Sequence, residues 1–344
     1  PGGARAAALR HQRRAGATAV TRALVFAYHD VGVRCLQAVL DAGVEVPLVV
    51  THRDQRGETI WFASVAELAR ARGIACIMPD DPNTDEVLAA CRATVPDFLF
   101  SFYYRRMLGA ALLALAPRGA YNLHGSLLPR YRGRAPVNWA ILNGERESGA
   151  TLHVMDVKPD HGAIVDQEAV PIGADDTARQ VFDRVTEAAA RVVARSVPRL
   201  VAGTARLTPQ QHLGGQYFGG RKPEDGRLGA GWPARRLHDL VRAVAPPEYP
   251  GAFLDAAGAR IGIARTRVVR DGAGRGNGPG ATRAGGEAGS ADARLALYAR
   301  DGALWIAAAD GGLLQVLQAT VNAEPLDARA FRARWGDARL HPDR

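Results

Sequence analysis

From residue 23 onward, short apolar runs alternate with stretches whose apolar positions recur every three or four residues. ALVFAY (23–28), VPLVV (46–50), IACIM (74–78) and DFLFSF (97–102) have the length and composition of buried strands. Between them, residues 31–42 carry Val33, Leu36, Val39 and Leu40 at helical spacing. SVAELARARG (64–73) reads as a helix closed by Gly73, and a third helix falls near 84–94. Alternation of this kind predicts a doubly wound parallel sheet, whose ligands bind beyond the carboxyl ends of the strands. The loops after Phe102 and after Tyr121 are where chemistry is expected. Two more strand-like stretches, ATLHVMDV (150–157) and AIVDQEAV (163–170), precede a long helix over 176–200. Its apolar stripe is Val181, Phe182, Val185, Ala189 and Val192.

Farther on the pattern changes. GGQYFGGRKPEDGR (214–227) has no clear period, and a domain boundary is expected inside it. ARRLHDLVRAV (234–244) is a short amphipathic helix whose stripe of Leu237, Leu240, Val241 and Val244 reads as core. Short strand candidates follow at 252–256, 260–269, 294–299, 303–308 and 313–321, separated by Asp-Gly and Gly-Gly turns. They predict a small barrel or sandwich. The expected organisation is a flexible basic tail over 1–20, a unit over 21–213, a connection over 214–233 and a second unit over 234–340. The low-complexity stretch 271–292 is expected to be a disordered loop, and its glycines make no GxGxxG fingerprint.

Composition narrows the class. The chain has 344 residues, 47% of them hydrophobic and 23% charged, values of an ordinary globular protein. No apolar run approaches the roughly 20 residues of a helical membrane span, so membrane insertion is not expected. Cys35, Cys76 and Cys91 match no zinc or CxxC spacing and read as reduced thiols, which points to a reducing, cytoplasmic setting. The net charge of +9 invites a nucleic-acid reading. Arginine supplies nearly all of it, however, since Lys158 and Lys222 are the only lysines, and such a bias can reflect genome composition.

The window YNLHGSLLPRYRGRAPVNWAILNGERESGATLHVMDVKPDH (121–161) concentrates polar groups beside an apolar strand. Asn122 and His124 alternate with Leu123 and so share one face of an extended segment. Asp160 follows the next strand, in a loop that can return toward His124. An Asn amide can donate to a developing oxyanion, and a His can move a proton to and from a nitrogen nucleophile. A nearby carboxylate favours the charged imidazolium. The set suits attack of an amine on a carbonyl without a covalent enzyme intermediate. There is no GxSxG elbow. Read singly, each of the three is equally at home as a turn or loop residue. His153, Asp156 and His161 lie nearby, but their spacing is not that of a metal site. Arg105, Arg106, Arg130, Arg132 and Arg134 offer forks for anionic ligands. Tyr103 and Tyr104 either line the pocket or pack beneath it.

NLHGSLLPRYRGRAP resembles the formyltransferase signature, in which Asn-x-His precedes Ser-Leu-Leu-Pro and an Arg-Gly. The resemblance runs from FAYHD (26–30) through SFYYR (101–105) to RAVAPPEYPGAF (242–253), nearly the whole chain outside both termini and the Gly-rich loop. It implies a Rossmann-like α/β domain followed by a small OB-like β-barrel. It implies 10-formyltetrahydrofolate as donor and no metal. FAYHD, SFYYR and RGRAPVNW are more similar to the UDP-4-amino-4-deoxy-L-arabinose formyltransferases of lipid A modification than to methionyl-tRNA formyltransferases. The implied acceptor is therefore the 4-amino group of a UDP-amino sugar. By position in the motif, Asn122 would stabilise the oxyanion, His124 would act as general acid and base, and Asp160 would hold and polarise His124. Folate contacts are implied at Arg106, Met107 and Leu108, at Arg134, and at Asp156, Val157, Lys158 and Pro159. Enzymes of this kind are often fused to a second, NAD-dependent domain, which is not expected here. The alternatives are a methionyl-tRNA formyltransferase, whose basic insertion after the second strand is missing from THRDQRGETIWF (51–62), and a formyltetrahydrofolate hydrolase. The oligomeric state is not legible in the sequence.

Overall fold

The computed structural model describes residues 20–54, 60–210, 216–270 and 294–343. The expected tail over 1–20, apart from Val20, and the loop 271–292 lie outside them. The first unit runs β1 (Arg22–Ala27), α1 (His29–Asp41), β2 (Glu45–Val50), α2 (Val65–Ala71), β3 (Ala75–Ile77), α3 (Asp85–Ala93), β4 (Phe98–Phe102), α4 (Ala110–Leu113) and β5 (Ala120–His124). It continues with β6 (Arg132–Gly133), α5 (Pro136–Leu142), β7 (Glu147–Val154), β8 (Ile164–Pro171) and α6 (Ala178–Val201). β9 (Tyr217–Phe218) and α7 (Ala234–Ala243) lead to β10 (Ala252–Ala256), β11 (Ala259–Arg270), β12 (Ala296–Arg300), β13 (Ala303–Ala307), β14 (Leu313–Val321), β15 (Glu324–Pro325) and α8 (Ala328–Trp335).

The main sheet has the order β3-β2-β1-β4-β5-β7-β8, with β1 to β5 parallel and β7 and β8 antiparallel. The order reverses between β1 and β4, which makes the switch point of a doubly wound sheet. Side chains alternate across it. Val25, Phe100, Phe102, Leu123 and Leu152 pack on one face under α1 and α6. Leu24, Phe26, Leu48 and Leu99 pack on the other with Val87 and Cys91 of α3 and Leu112 of α4. That second layer reaches Ala120 at the start of β5. The α/β expectation therefore holds, with the antiparallel pair β7–β8 extending the parallel part.

Local signals explain the helix ends. Ser64 caps α2 by accepting from Glu67 N–H, and Thr84 caps α3 by accepting from Val87 N–H. Thr177 and Gln180 form a capping box at the start of α6. Gly73 takes φ +66° after α2. α4, α5 and α8 have no counterpart in the sequence reading. α4 and α5 are too short to show a period, and α8 begins only at Asp327, which caps it by accepting from Ala330 N–H.

The second sheet is antiparallel, with the order β10-β11-β14-β13-β12 and β15 on β14, and it curls into a half-barrel. α7 joins it to the first unit. Its stripe Leu237, Leu240, Val241 and Val244 is buried as expected. On its other side, His238 Nε2 lies 3.0 Å from the Ala174 carbonyl, and Arg242 Nη1 donates to Gly173 and Asp176 carbonyls in the turn before α6. Residues 217–218, read from sequence as part of an aperiodic connection, instead form β9 and pair with β6.

Candidate active site

β5 carries Asn122 and His124 on the same face as Ala120, which packs into the α3–α4 layer at the start of the strand. In the register with β7, Asn122 stands opposite His153 and His124 opposite Thr151. Leu123 and Leu152 point the other way into the core. The predicted sharing of one face by Asn122 and His124 is therefore observed, and the partner strand adds two polar residues to it.

Past His124 the chain turns sharply. Ser126 Oγ donates to the Arg130 carbonyl, and Leu128–Pro129 is cis. Thr151 Oγ1 donates to the Ser126 carbonyl and accepts from Leu128 N–H, which pins the signature loop to β7. This loop brings the Tyr131 carbonyl within 2.8 Å of His124 Nε2. A carbonyl only accepts, so Nε2 carries a proton and Nδ1 is the nitrogen left for chemistry.

Asp160 arrives from the loop between β7 and β8, as predicted. Its Oδ1 lies 3.5 Å from His124 Nδ1 and 3.6 Å from His153 Nε2. Its Oδ2 accepts from Gly133 N–H at 2.8 Å, and Arg132 Nε donates to its carbonyl at 3.2 Å. The residue holds a left-handed φ of +57°, uncommon for Asp, so the surrounding contacts over-determine its place. Burial works against ionisation, but the neighbouring His124 and His153 rings and the Gly133 N–H outweigh it. The carboxyl is held well below the usual carboxylate range. Gly133 is itself obligatory. Its φ is +100°, and a Cβ would lie 2.2 Å from the Phe218 carbonyl of β9.

The other candidates are placed unevenly. Arg132 is buried, and it also donates to Gln210 Oε1 at 3.0 Å. Gln210 in turn donates to the carbonyls of Asp160 and Gly162, so it clamps the Asp160 loop from a position no motif marked. Arg130 pairs with Glu145 and Glu147. Arg105 stacks on Tyr28, on the β1 side of the switch point. Arg106 and Met107 are exposed, whereas the Leu108 side chain packs in the α3–α4 core and leaves only main chain for a ligand. Asn83 holds this loop, donating to the Met107 carbonyl and accepting from Gly109 N–H. Val157 and Lys158 are exposed, Pro159 is half-buried, and Asp156 Oδ1 accepts from Lys158 N–H. Tyr103 turns beneath the site, since a Cβ on Gly125 would lie 1.9 Å from its hydroxyl. Tyr104 packs against Phe26 and stacks on His52.

A cavity of about 190 Å³ opens between α5 and the second unit, lined by Ala135, Asn138, Arg221, Lys222, Val244 and Tyr249. Asn138 bridges the two units by donating to the Ala243 carbonyl. The turn at 246–250 contributes Tyr249 and Pro250 to the lining of this cavity. Arg221 and Lys222 give the cavity a positive rim.

Solved structures with this fold include an N-formyltransferase from Helicobacter canadensis in complex with folinic acid and dTDP-3-aminofucose. It is 19% identical, with a TM-score of 0.61, over 86% of this chain and 98% of its own. WlaRD, a sugar 3N-formyl transferase solved with dTDP and 5-N-formyl-THF, is 18% identical with a TM-score of 0.63, over 89% and 99% of the two chains. A 4-N formyltransferase from Francisella tularensis is 19% identical with a TM-score of 0.57, over 71% and 96%. At this identity the likeness speaks for the fold. The formyl transferase family matches residues 14–197, and the formyl transferase C-terminal domain matches residues 221–334. With its first unit matched over more than half of the chain and its second in the same order, this protein belongs to the formyl transferase family.

Proposed function

We propose that the chain transfers a formyl group from 10-formyltetrahydrofolate to the 4-amino group of a nucleotide-linked amino sugar, UDP-4-amino-4-deoxy-L-arabinose, without a metal. The observation that carries this reading is the grouping of Asn122, His124 and Asp160 on one face of β5. The amine attacks the formyl carbon, and the carbonyl oxygen gains the negative charge. Asn122 donates an N–H to that oxygen. The amine's proton passes to His124 Nδ1, the C–N10 bond breaks, and N10 takes up a proton. Asp160 stabilises the imidazolium formed in between.

Arg106, Met107, the main chain of Leu108, Arg134 and the loop Asp156-Val157-Lys158-Pro159 are assigned to the folate. Arg221 and Lys222 at the cavity rim suit the diphosphate of the acceptor. The neighbours crystallised with folinic acid, 5-N-formyl-THF or dTDP-linked ligands support this pairing of a folate with a nucleotide sugar. The SFYYR and RGRAPVNW segments support the arabinose sugar and a cytoplasmic step of lipid A modification. On this reading 21–213 is the catalytic unit, 214–233 the connection and 234–340 the second unit. The test is to incubate the protein with 10-formyltetrahydrofolate and UDP-4-amino-4-deoxy-L-arabinose. Release of tetrahydrofolate that depends on the sugar is expected. Release that is equal without the sugar would indicate a hydrolase, and release that requires initiator tRNA would indicate a tRNA acceptor.

A further inference from the structure

His153 lies on β7 directly opposite Asn122 and is 2% exposed. Its ring makes two contacts of opposite sense. Nδ1 is 2.8 Å from the Val154 carbonyl, which only accepts, so Nδ1 carries the ring's proton. Nε2 is 3.1 Å from Asn122 Nδ2. In the neutral ring this nitrogen holds a lone pair and accepts an amide N–H. Asp160 Oδ1 lies farther from Nε2, at 3.6 Å, so the Asn122 amide is the nearer partner of that nitrogen.

We propose that His153 is the positioning residue for Asn122: by accepting one amide N–H it fixes the carboxamide with its nitrogen toward the site and leaves the second N–H for the oxyanion. This rests on the role given to Asn122 above. Turned over, the carboxamide would set Oδ1 against the Nε2 lone pair and present an oxygen to a developing negative charge. The penalty grows as that charge forms, so it falls on turnover rather than on substrate binding. His153 acts through Asn122 and does not touch the substrate.

The experiment is steady-state kinetics with 10-formyltetrahydrofolate and UDP-4-amino-4-deoxy-L-arabinose. His153→Ala is expected to lower kcat by about 10–100-fold while both KM values stay within about threefold. His153→Gln offers an acceptor to Asn122 and a donor to Val154, and is expected to recover to within about fivefold of the parent. In an Asn122→Ala background the His153→Ala change should lower kcat by less than about twofold, because the amide it orients is gone. A full additional loss in that background, or an unchanged kcat in His153→Ala alone, overturns the proposal. An unchanged kcat in Asn122→Ala instead removes the oxyanion role itself, and His153 falls with it. If that sugar supports no turnover, the failure belongs to the acceptor assignment. The His153 claim is then read from ring nitrogen chemical shifts of the unliganded protein, where a proton on Nδ1 is expected and a proton on Nε2 overturns it. The same spectrum serves if His153→Ala fails to fold.

Discussion

Two halves of one sheet put histidines at the carboxyl ends of their strands to opposite use. At the end of β1, His29 is packed among Trp61, Phe62 and Phe182, stacked 3.9 Å from Phe62. Burial, with Arg105 and Arg179 nearby, lowers its pKa to about 3, so the ring is a neutral part of the core. At the end of β5, His124 is as well buried, yet it faces a carboxylate and a tethering carbonyl. The difference is what covers the strand. α3 and α4 close the second face over β1, β2 and β4, and apolar side chains fill it. Past Ala120 the apolar cluster ends, and polar residues of β5 and β7 occupy the same face. Burial alone therefore does not distinguish the two histidines; their partners do.

The largest expected effect separates the halves directly. His124→Ala should lower turnover by on the order of 10³-fold while folate binding and thermal stability persist, because proton transfer and not packing is lost. Full activity in a folded variant would sink the role assigned to His124. Leu24→Ala, in the covered half, should do the reverse. It should destabilise by about 2–5 kcal/mol in denaturant titrations and leave turnover per folded molecule unchanged.

His29 predicts a pH effect. Its imidazole takes up a proton near pH 6.5 when unfolded but only near 3 when folded. Its neutral burial therefore contributes fully above pH 6.5, and stability is lost as pH falls from there toward 3. His29→Phe should remove this slope. Relative to the parent, it should gain about 2–3 kcal/mol between pH 7 and pH 4.5 in urea unfolding. Parallel curves for the two proteins would mean that His29 is not buried as a neutral ring. The smallest effect belongs to the cap of α3, where Thr84→Ala should lower stability by about 1 kcal/mol with no change in kinetics.

Much of this was legible in the chain. Strands β1 to β4 and the helices α1 to α3 between them followed from runs such as ALVFAY and from stripes such as Val33, Leu36, Val39 and Leu40. Hydrophobic period is set locally by which side each residue presents. Asn122 and His124 were readable as a pair for the same reason, and the loop placed Asp160 within reach. Gln210 was not readable as a clamp, because it is 50 residues from the Asp160 carbonyl it holds. Asn83 likewise reads as a turn residue and serves as a strut for the Met107 loop.

The sequence by itself determined the alternation of elements, the apolar faces and the signature from 122 to 136. All of these rest on interactions between residues close in the chain or on its residue types. The tertiary structure decided which nitrogen of His124 faces Asp160, because the Tyr131 carbonyl claims the other. It decided that Arg130 pairs with glutamates while Arg132 supports the Asp160 loop. It also set His153 against Asn122. That contact depends on the register of two antiparallel strands, and a shift of one residue would turn His153 to the opposite face.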